Sequence, residues 1–213
     1  MSAKKVRAVF QLHIRLREIE PAIWRRIHVW EDAKLPQVHR IVQMLFNWED
    51  YHLHDFNAGG CAYSVPDPQD DFNERPVMDE RVVPLNRIMD HAGATIAYNY
   101  DFGDDWQHDI LLEAILLPEP DAFYPRCIAG ARNGPPEDAG GPPGYADYLE
   151  ALADPGHEEH EHMLGWRGPF DPEAFSIEAV NAVLKRTFYR RPASKRGAAA
   201  VVTQVPADSP EPA

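Results

Sequence analysis

The feature that most constrains the fold is an alternation of apolar and polar side chains over residues 6–17. A period of two places every second side chain on the same face of a strand, so this segment is predicted to be a half-buried β-strand. The turn sequence Glu18-Ile19-Glu20-Pro21 follows, and residues 23–29 are predicted to return as a second strand. We therefore expect an antiparallel hairpin at the start of the chain.

Later patterns predict an α+β domain over residues 1–189. Apolar spacings of three and four favour helices over 35–46, 145–153, 157–166 and 177–188. A third strand is predicted over 52–57, and a second hairpin pairs 95–102 with 106–117 around Gly103-Asp104-Asp105. The expected architecture is an antiparallel or mixed sheet built from two β-hairpins plus a strand, with an inserted helix and a C-terminal group of helices. Residues 190–213 are predicted to be a disordered tail.

The charge is strongly negative and unevenly distributed. The chain has 34 Asp and Glu residues against 21 Lys and Arg residues, which gives a net charge of −13. A generally basic protein that coats nucleic acid is therefore excluded, and the acidic second half is expected to attract cations. Two cysteines are too few for a disulfide scaffold, which favours a cytoplasmic protein. No apolar run is long enough for a membrane helix, so no membrane partner is expected.

The first candidate site is the pair His52 and His54 on the predicted third strand. Residues i and i+2 share a face of a strand, so both imidazoles would point the same way. Two such histidines can bind a divalent metal if a third ligand comes from another element. The alternative is a pair of half-buried histidines, each hydrogen-bonded to backbone or water.

The second candidate site is the tip of the predicted second hairpin. Turn formation explains glycine and aspartate here, but it does not explain the neighbouring aromatic and imidazole groups. The candidate ligand-binding residues at this tip are Asp101, Asp104, Asp105, Trp106 and His108. In a metal site, we expect His52, His54, Asp104 and His108 to be the ligands.

Two further acidic segments are candidates. Glu137 and Asp138 lie in a rigid frame of prolines and glycines, which favours either an acidic loop that closes over a site or a loop that simply wraps the domain. His157 and His160 lie among glutamates at the start of a predicted helix. Without the HExxH spacing of zinc peptidases, this segment is interpreted as a solvated acidic helix start.

The basic residues concentrate near the first hairpin, at Arg7, Arg15, Arg17, Arg25 and Arg26. Such a surface can contact the phosphates of nucleic acid. It can equally form ion pairs with the acidic second half of the same chain, which is the interpretation that the net charge favours. We therefore expect a protein or a small ligand as partner in preference to nucleic acid.

Several uncommon motifs occur in a fixed order. They are Pro-Ala-Ile-Trp-Arg-Arg-Ile, then His-Leu-His-Asp-Phe, then Tyr-Asp-Phe-Gly-Asp-Asp-Trp-Gln-His, then Tyr-Pro-Arg-Cys and Pro-Pro-Glu-Asp-Ala-Gly-Gly. Together, over residues 6–186, the chain resembles the plasmid pRiA4b ORF-3-like family. The resemblance implies a single α+β domain in a prokaryotic cytoplasm, associated with plasmids or mobile elements, and it implies no reaction.

Two functional hypotheses follow. The first is a binding or accessory module with an acidic groove bordered by aromatic side chains, because the charge is asymmetric and no complete catalytic set is present. The alternative is a metal-dependent hydrolase, with phosphoesters as possible substrates, that uses the His/Asp site. The cofactor in that second case would be a divalent metal ion.

Overall fold

The structure is a computed structural model that describes residues 6–66 and 77–189. Within these ranges, the strands are β1 (Val9–Leu16), β2 (Trp24–Trp30), β3 (His54–Ala58), β4 (Cys61–Ser64), β5 (Val77–Asp79), β6 (Thr95–Tyr100), β7 (Trp106–Leu116) and β8 (Arg126–Ala131). The helices are α1 (Leu35–Phe46), α2 (Gly141–Ala153), α3 (His160–Arg167) and α4 (Ile177–Phe188). Two short 3-10 helices, Glu80–Val82 and Leu85–Arg87, precede β6.

The strands form one mixed sheet in the order β5-β4-β3-β6-β7-β1-β2-β8. All described pairs are antiparallel except β4 with β5, which is parallel. Both predicted hairpins are confirmed, since β1 pairs with β2 and β6 pairs with β7. The predicted α+β class with a mixed sheet is therefore confirmed.

The core lies between the sheet and the helices. On β1, the even-numbered residues Leu12, Ile14 and Leu16 are fully buried, while Arg15 is exposed, as the alternation predicts. The apolar stripe of α1, which includes Val38 and Val42, belongs to the same buried cluster. This burial fixes the position of α1, which ends at Phe46 before the segment that leads to β3.

Three strands were not predicted. The strands β4 and β5 have four and three residues, which is too short for a clear period of two. The segment Arg126–Ala131 lies among prolines and glycines and has no clear period of two of its own. It becomes β8 because it pairs with the outer edge of β2, where Ile27 faces Cys127. The predicted tail, residues 190–213, lies outside the described residues, as do residues 67–76.

The basic residues near the first hairpin do not form a free cationic surface. Four of them form ion pairs within the chain: Arg7 with Asp32, Arg15 with Glu20, Arg17 with Asp109 and Arg26 with Glu113. Asp109 and Glu113 come from the acidic second half, so the predicted pairing with that half is right for Arg17 and Arg26 and wrong for Arg7 and Arg15. Arg25 is 1% exposed and cannot contact nucleic acid, which corrects its inclusion in a DNA-binding face.

Across residues 6–66 and 77–189, no helix has both the length and the apolar character needed to cross a membrane.

Candidate functional site

The predicted third strand and the tip of the second hairpin meet in space. The strand β3 pairs with β6, with His54 opposite Tyr100, and the backbone N–H of Asp101 donates to the carbonyl of Leu53 at 2.9 Å. His52 lies just before β3 rather than on it. The hairpin tip is therefore held directly against the residues that precede the strand.

Asp101 organises the hairpin tip. Its backbone is left-handed, with φ of 57°, which favours aspartate, asparagine and glycine. Its Oδ1 atom accepts from the backbone N–H groups of Gly103 at 3.0 Å and Asp104 at 3.3 Å. Its second oxygen, Oδ2, lies 3.5 Å from Nε2 of His52. One oxygen thus shapes the turn, while the other faces the imidazole.

The loop that carries Glu137 and Asp138 is fastened at both ends. The indole Nε1 of Trp48 donates to the carbonyl of Pro135 at 2.9 Å. At the other end, Oδ2 of Asp104 accepts from the backbone N–H of Gly140 at 3.0 Å. These two bonds hold the loop against Trp48 and the hairpin tip.

Glu137 is a buried carboxylate, 4% exposed. Its Oε1 atom accepts from the backbone N–H of Glu49 at 2.7 Å and from the hydroxyl of Tyr100 at 3.0 Å. Burial raises the pKa of Tyr100, and the Glu137 carboxylate raises it further, so the hydroxyl remains a donor. These bonds fix the carboxylate, whose Oε2 atom lies 4.0 Å from Nε2 of His52.

These contacts form what we call the His52 pocket, which consists of His52, Asp101, Glu137 and Asp138. The Nε2 atom of His52 lies 3.1 Å from Oδ1 of Asp138, in addition to the two contacts above. Among the described residues, His52, Asp101 and Asp138 are the one group of three or more His, Cys, Asp or Glu residues whose ligand atoms lie within 4.8 Å of one another. Three carboxylates thus surround one imidazole nitrogen, which makes this a locally anionic pocket.

Arg167 on α3 closes one side of the pocket. Its guanidinium donates to the backbone carbonyl of Glu137 at 2.8 Å and lies 4.0 Å from Oδ2 of Asp138. Sequence reasoning missed this residue, because nothing local connects a helix at 160–167 with a loop at 137–138. It also missed the role of Tyr100, for which the adjacent Asp101 was the available signal.

Replacing Gly141 by alanine is expected to loosen the loop above the pocket. A Cβ atom at Gly141 would lie 2.3 Å from the backbone oxygen of Asp104, and its φ is 68°. We expect the free energy of unfolding in a urea titration to fall by about 2–3 kcal/mol. The control is Gly60→Ala, which has a φ of 82° and nothing within 4 Å, so it tests backbone strain alone. Equal losses in the two variants would show that the contact with Asp104 does not hold the loop.

His54 belongs to a different cluster. Its Nε2 bonds to the buried carboxylate of Glu80 at 3.0 Å, and its ring stacks on His39 at 3.5 Å between centroids. His39 in turn bonds to Tyr98 and Asp50, both at 2.8 Å. Burial and the neighbouring His54 lower the pKa of His39. His52 and His54 therefore contact different carboxylates and do not converge on one point.

His108 and Trp106 are core residues. Both are fully buried, and the Nδ1–H of His108 donates to the carbonyl of Trp106 at 3.0 Å. Its Nε2 atom and the indole nitrogen of Trp106 have no partner among the described residues. Burial lowers the pKa of His108 to about 3, so the ring is neutral at ordinary pH.

The structure therefore does not bring the four expected metal ligands together. His52 lies in the pocket, His54 faces Glu80, Asp104 fastens Gly140, and His108 is enclosed in the core. Asp105 is exposed and bonds to Gln107 at 2.7 Å. Of the nine candidate residues, His52, Asp101, Glu137 and Asp138 converge.

The His157/His160 segment does not form such a group either. The ring of His160 bonds to the carbonyl of Ala151 at 2.8 Å, and His157 accepts from the backbone N–H of Glu159 at 3.1 Å. The first contact joins the start of α3 to α2, and the second is local to the turn before α3. These imidazoles are therefore occupied by the backbone, in agreement with the interpretation as a helix start.

Comparison with known proteins gives consistent similarities. A family model described as "Plasmid pRiA4b ORF-3-like protein" matches residues 8–179. The "Uncharacterized protein y4hQ" of Sinorhizobium fredii is 34% identical over 178 residues, which are 83% of this chain and 90% of that protein. A crystal structure of the protein of unknown function MM3350 from Methanosarcina mazei Go1 is similar with a TM-score of 0.73 and 35% identity, covering 82% of this chain and 98% of that chain. All four residues of the His52 pocket lie within the matched range.

Proposed function

The chain belongs to the plasmid pRiA4b ORF-3-like protein family, and from the geometry of its His52 pocket we propose that it is a binding module that holds a divalent cation. The observation that carries this proposal is the convergence of three carboxylates on Nε2 of His52, at 3.1, 3.5 and 4.0 Å. These residues come from segments that are far apart in sequence. The fold therefore holds together charges that would otherwise repel one another.

The distances suit a metal ion. Nitrogen and oxygen ligands bind Zn²⁺ at about 2.0–2.2 Å, so two ligands of one ion lie about 3–3.6 Å apart. The separations from His52 to Asp138 and to Asp101 fall in this range. Glu137 is farther away, and its bonds to Tyr100 and Glu49 make it a residue that orients the pocket rather than a ligand. One imidazole with two carboxylates is a donor set suited to Zn²⁺ or Mn²⁺.

Two of the three ligands are held in place by their own neighbours or by burial. Asp101 is 7% exposed, and its other oxygen accepts two backbone N–H groups. The ring of Tyr100 packs edge-on against the His52 imidazole, with 5.8 Å between centroids. Because these side chains are already held in place, less conformational entropy is lost when they bind a metal ion.

Exposed aromatic residues flank the pocket residues in sequence. Tyr51 precedes His52 and is 70% exposed, Phe102 follows Asp101 and is 56% exposed, and Trp166 precedes Arg167 and is 39% exposed. Exposed aromatic side chains beside a charged pocket are typical of binding surfaces. This border supports a role in which a protein or small ligand contacts the surface around the bound cation.

A metal-dependent hydrolase remains the second candidate function. It is favoured by the exposure of the pocket, since the side chain of His52 is 30% exposed and that of Asp138 is 59% exposed. A metal held by three protein ligands on an open surface keeps a position for water, and such a water can act as a nucleophile. Phosphoesters are the substrate class that this alternative would predict.

The test of the proposed function is metal analysis of the full chain purified without a tag, followed by calorimetric titration with Zn²⁺ and Mn²⁺. We expect about one ion per chain and a higher melting temperature with metal. Replacing His52 by alanine or Asp101 by asparagine is expected to weaken binding by at least about tenfold. The matched control is Asp105→Asn, which removes an acidic group from the same hairpin tip but outside the pocket.

A hydrolysis assay with the same purified chain distinguishes the binding module from the metal-dependent hydrolase. Hydrolysis of bis(p-nitrophenyl) phosphate that requires Mn²⁺ and is lost with Asp101→Asn would favour the hydrolase. Metal binding without hydrolysis would leave the binding module. If no ion binds to wild type, the cation site is contradicted. It is also contradicted if an ion binds but neither His52→Ala nor Asp101→Asn changes the titration.

A further inference from the structure

A second surface of the protein has the opposite character to the His52 pocket. A groove of about 460 Å³ lies between the end of β2, the helix α1, the segment before β8 and the end of α4. We call it the aromatic groove. The lining residues on which the argument depends are Trp30, Arg40, Phe123, Tyr124, Phe188 and Tyr189. It shares no residue with the His52 pocket.

Most of the residues that line this groove are aromatic. Five of its nine lining residues are aromatic, whereas aromatic residues make up 10% of the chain. Trp30 and Tyr124 pack edge to face at 4.9 Å between centroids. A smaller cavity of about 150 Å³ continues from the groove and shares Trp30, Tyr124 and Phe188 with it. The ring of Tyr189 is 45% exposed, and an exposed ring face suits a planar ligand because stacking needs no particular sequence of donors and acceptors.

The lining of the groove has one charged side chain, the cation Arg40. None of its nine lining residues is acidic, although the chain has a net charge of −13. The guanidinium of Arg40 lies 5.6 Å from the ring of Phe188, and Nζ of Lys185 lies 5.3 Å from the ring of Phe123. Within the described part of the chain, no carboxylate lies within 4.0 Å of either cation. These two positive charges are therefore available for an anion.

Other cations near the groove differ in this respect. Arg7 lies over the ring of Trp30 but forms an ion pair with Asp32. Arg126 lies over Tyr124 and forms an ion pair with Glu119. Arg7 and Arg126 thus neutralise carboxylates of the protein itself, whereas Arg40 and Lys185 form no ion pair among the described residues.

We propose that the aromatic groove binds a small planar anion, with its ring stacked on the aromatic side chains and its phosphate beside Arg40 and Lys185. A nucleoside monophosphate has this chemistry. The side chains of Gln37 and Thr187 also line the groove and can bond to the polar edge of the ring. A volume of this size lies in the range of about 300–1,000 Å³ that small-molecule sites occupy.

A small ligand fits this surface better than a nucleic-acid strand. A strand extends beyond one groove, and the rest of the molecule carries the excess of negative charge that repels a phosphate backbone. A monophosphate places its charge beside the two cations only. The proposal does not depend on metal in the His52 pocket, because the two sites have no residue in common.

The test is calorimetric titration of the full chain with adenosine 5′-monophosphate at low salt, with adenosine and inorganic phosphate as separate probes. We expect the monophosphate to bind at least about tenfold more tightly than either probe alone, because it uses both the rings and the cations. Equal binding of adenosine, or of phosphate, would overturn the proposal. Tighter binding of a short single-stranded oligonucleotide would assign the groove to nucleic acid and would also overturn it.

Variants locate the binding. Arg40→Glu is expected to weaken monophosphate binding by about tenfold or more, and this loss should shrink as salt is raised. Tyr189→Ala removes a ring that is 45% exposed and is expected to weaken binding by about threefold. The control is Arg87→Glu, which makes the same charge change at an exposed arginine outside the groove. Wild-type affinity in Arg40→Glu, or the same loss in Arg87→Glu, would contradict the assignment to this groove.

Discussion

Replacing Arg25 by methionine is expected to lower the free energy of unfolding by about 3–5 kcal/mol. The Arg25 guanidinium is buried and donates to four backbone carbonyls, those of Trp24, Leu45, Ala131 and Arg132. Burial without a carboxylate partner lowers its pKa to about 10. Methionine fills much of the space but donates no hydrogen bond, so several carbonyls would be left without a partner.

The neighbouring residue provides the control. Arg26 lies on the same strand but points to the opposite face. There its Nε and Nη2 atoms donate to the two carboxylate oxygens of Glu113, at 2.6 and 2.7 Å. Since this pair is partly exposed, Arg26→Met is expected to cost about 1 kcal/mol. Urea titrations of both variants at neutral pH would give the comparison. Similar losses at the two positions would show that the buried guanidinium does not connect α1 to β8.

Stability is expected to fall as the pH falls below about 6.5, and His108 is expected to account for a large part of the loss. In the unfolded chain His108 binds a proton near pH 6.5, but in the folded protein its pKa is about 3. Between these values the unfolded state binds more protons, so acid favours unfolding, by up to about 1.4 kcal/mol per pH unit. At pH 5 this single residue would have removed about 2 kcal/mol relative to neutral pH.

The measurement is the free energy of unfolding at pH 7.5 and pH 5 for wild type and for His108→Phe. The ring of phenylalanine has a similar size and cannot be protonated. The variant should therefore lose about 2 kcal/mol less unfolding free energy than wild type between pH 7.5 and pH 5. Other groups, including His39, whose pKa burial also lowers, contribute equally to both proteins. The surface variant His162→Gln serves as the control.

An NMR titration of wild type checks the same point without a variant. The ring signals of His108 should not shift between pH 7 and pH 5 while the protein remains folded. A titration of this ring near pH 6.5, or equal losses of stability in wild type and His108→Phe, would contradict the assignment of acid sensitivity to this residue.

Local pattern predicted those elements whose signal repeats within one segment. The alternation over residues 6–17 and the turn at Gly103-Asp104-Asp105 predicted both hairpins, because a period of two is written into each strand separately. The helix α1 was predicted over its full range because its apolar residues recur at spacings of three and four. The strand β8 was missed because its segment has no period of its own and becomes a strand only beside β2.

The two histidines of the HxH motif show the limit of such reasoning most clearly. His52 and His54 are two residues apart, and ideal strand geometry predicts one shared face. The strand begins at His54, however, so His52 is free to turn toward Asp138 while His54 faces Glu80. Because the strand begins two residues later than predicted, only His52 belongs to the candidate metal site.

Local patterns predicted both hairpins, the helices, the α+β class and the acidic character of the second half, because these depend on neighbouring residues and on composition. Which charged groups meet depends instead on how the elements pack. Glu137 and Asp138 reach His52 because Trp48 binds Pro135 and Asp104 binds Gly140, contacts between segments far apart in the chain. Long-range contacts of this kind follow from how whole elements pack, and no local period encodes them.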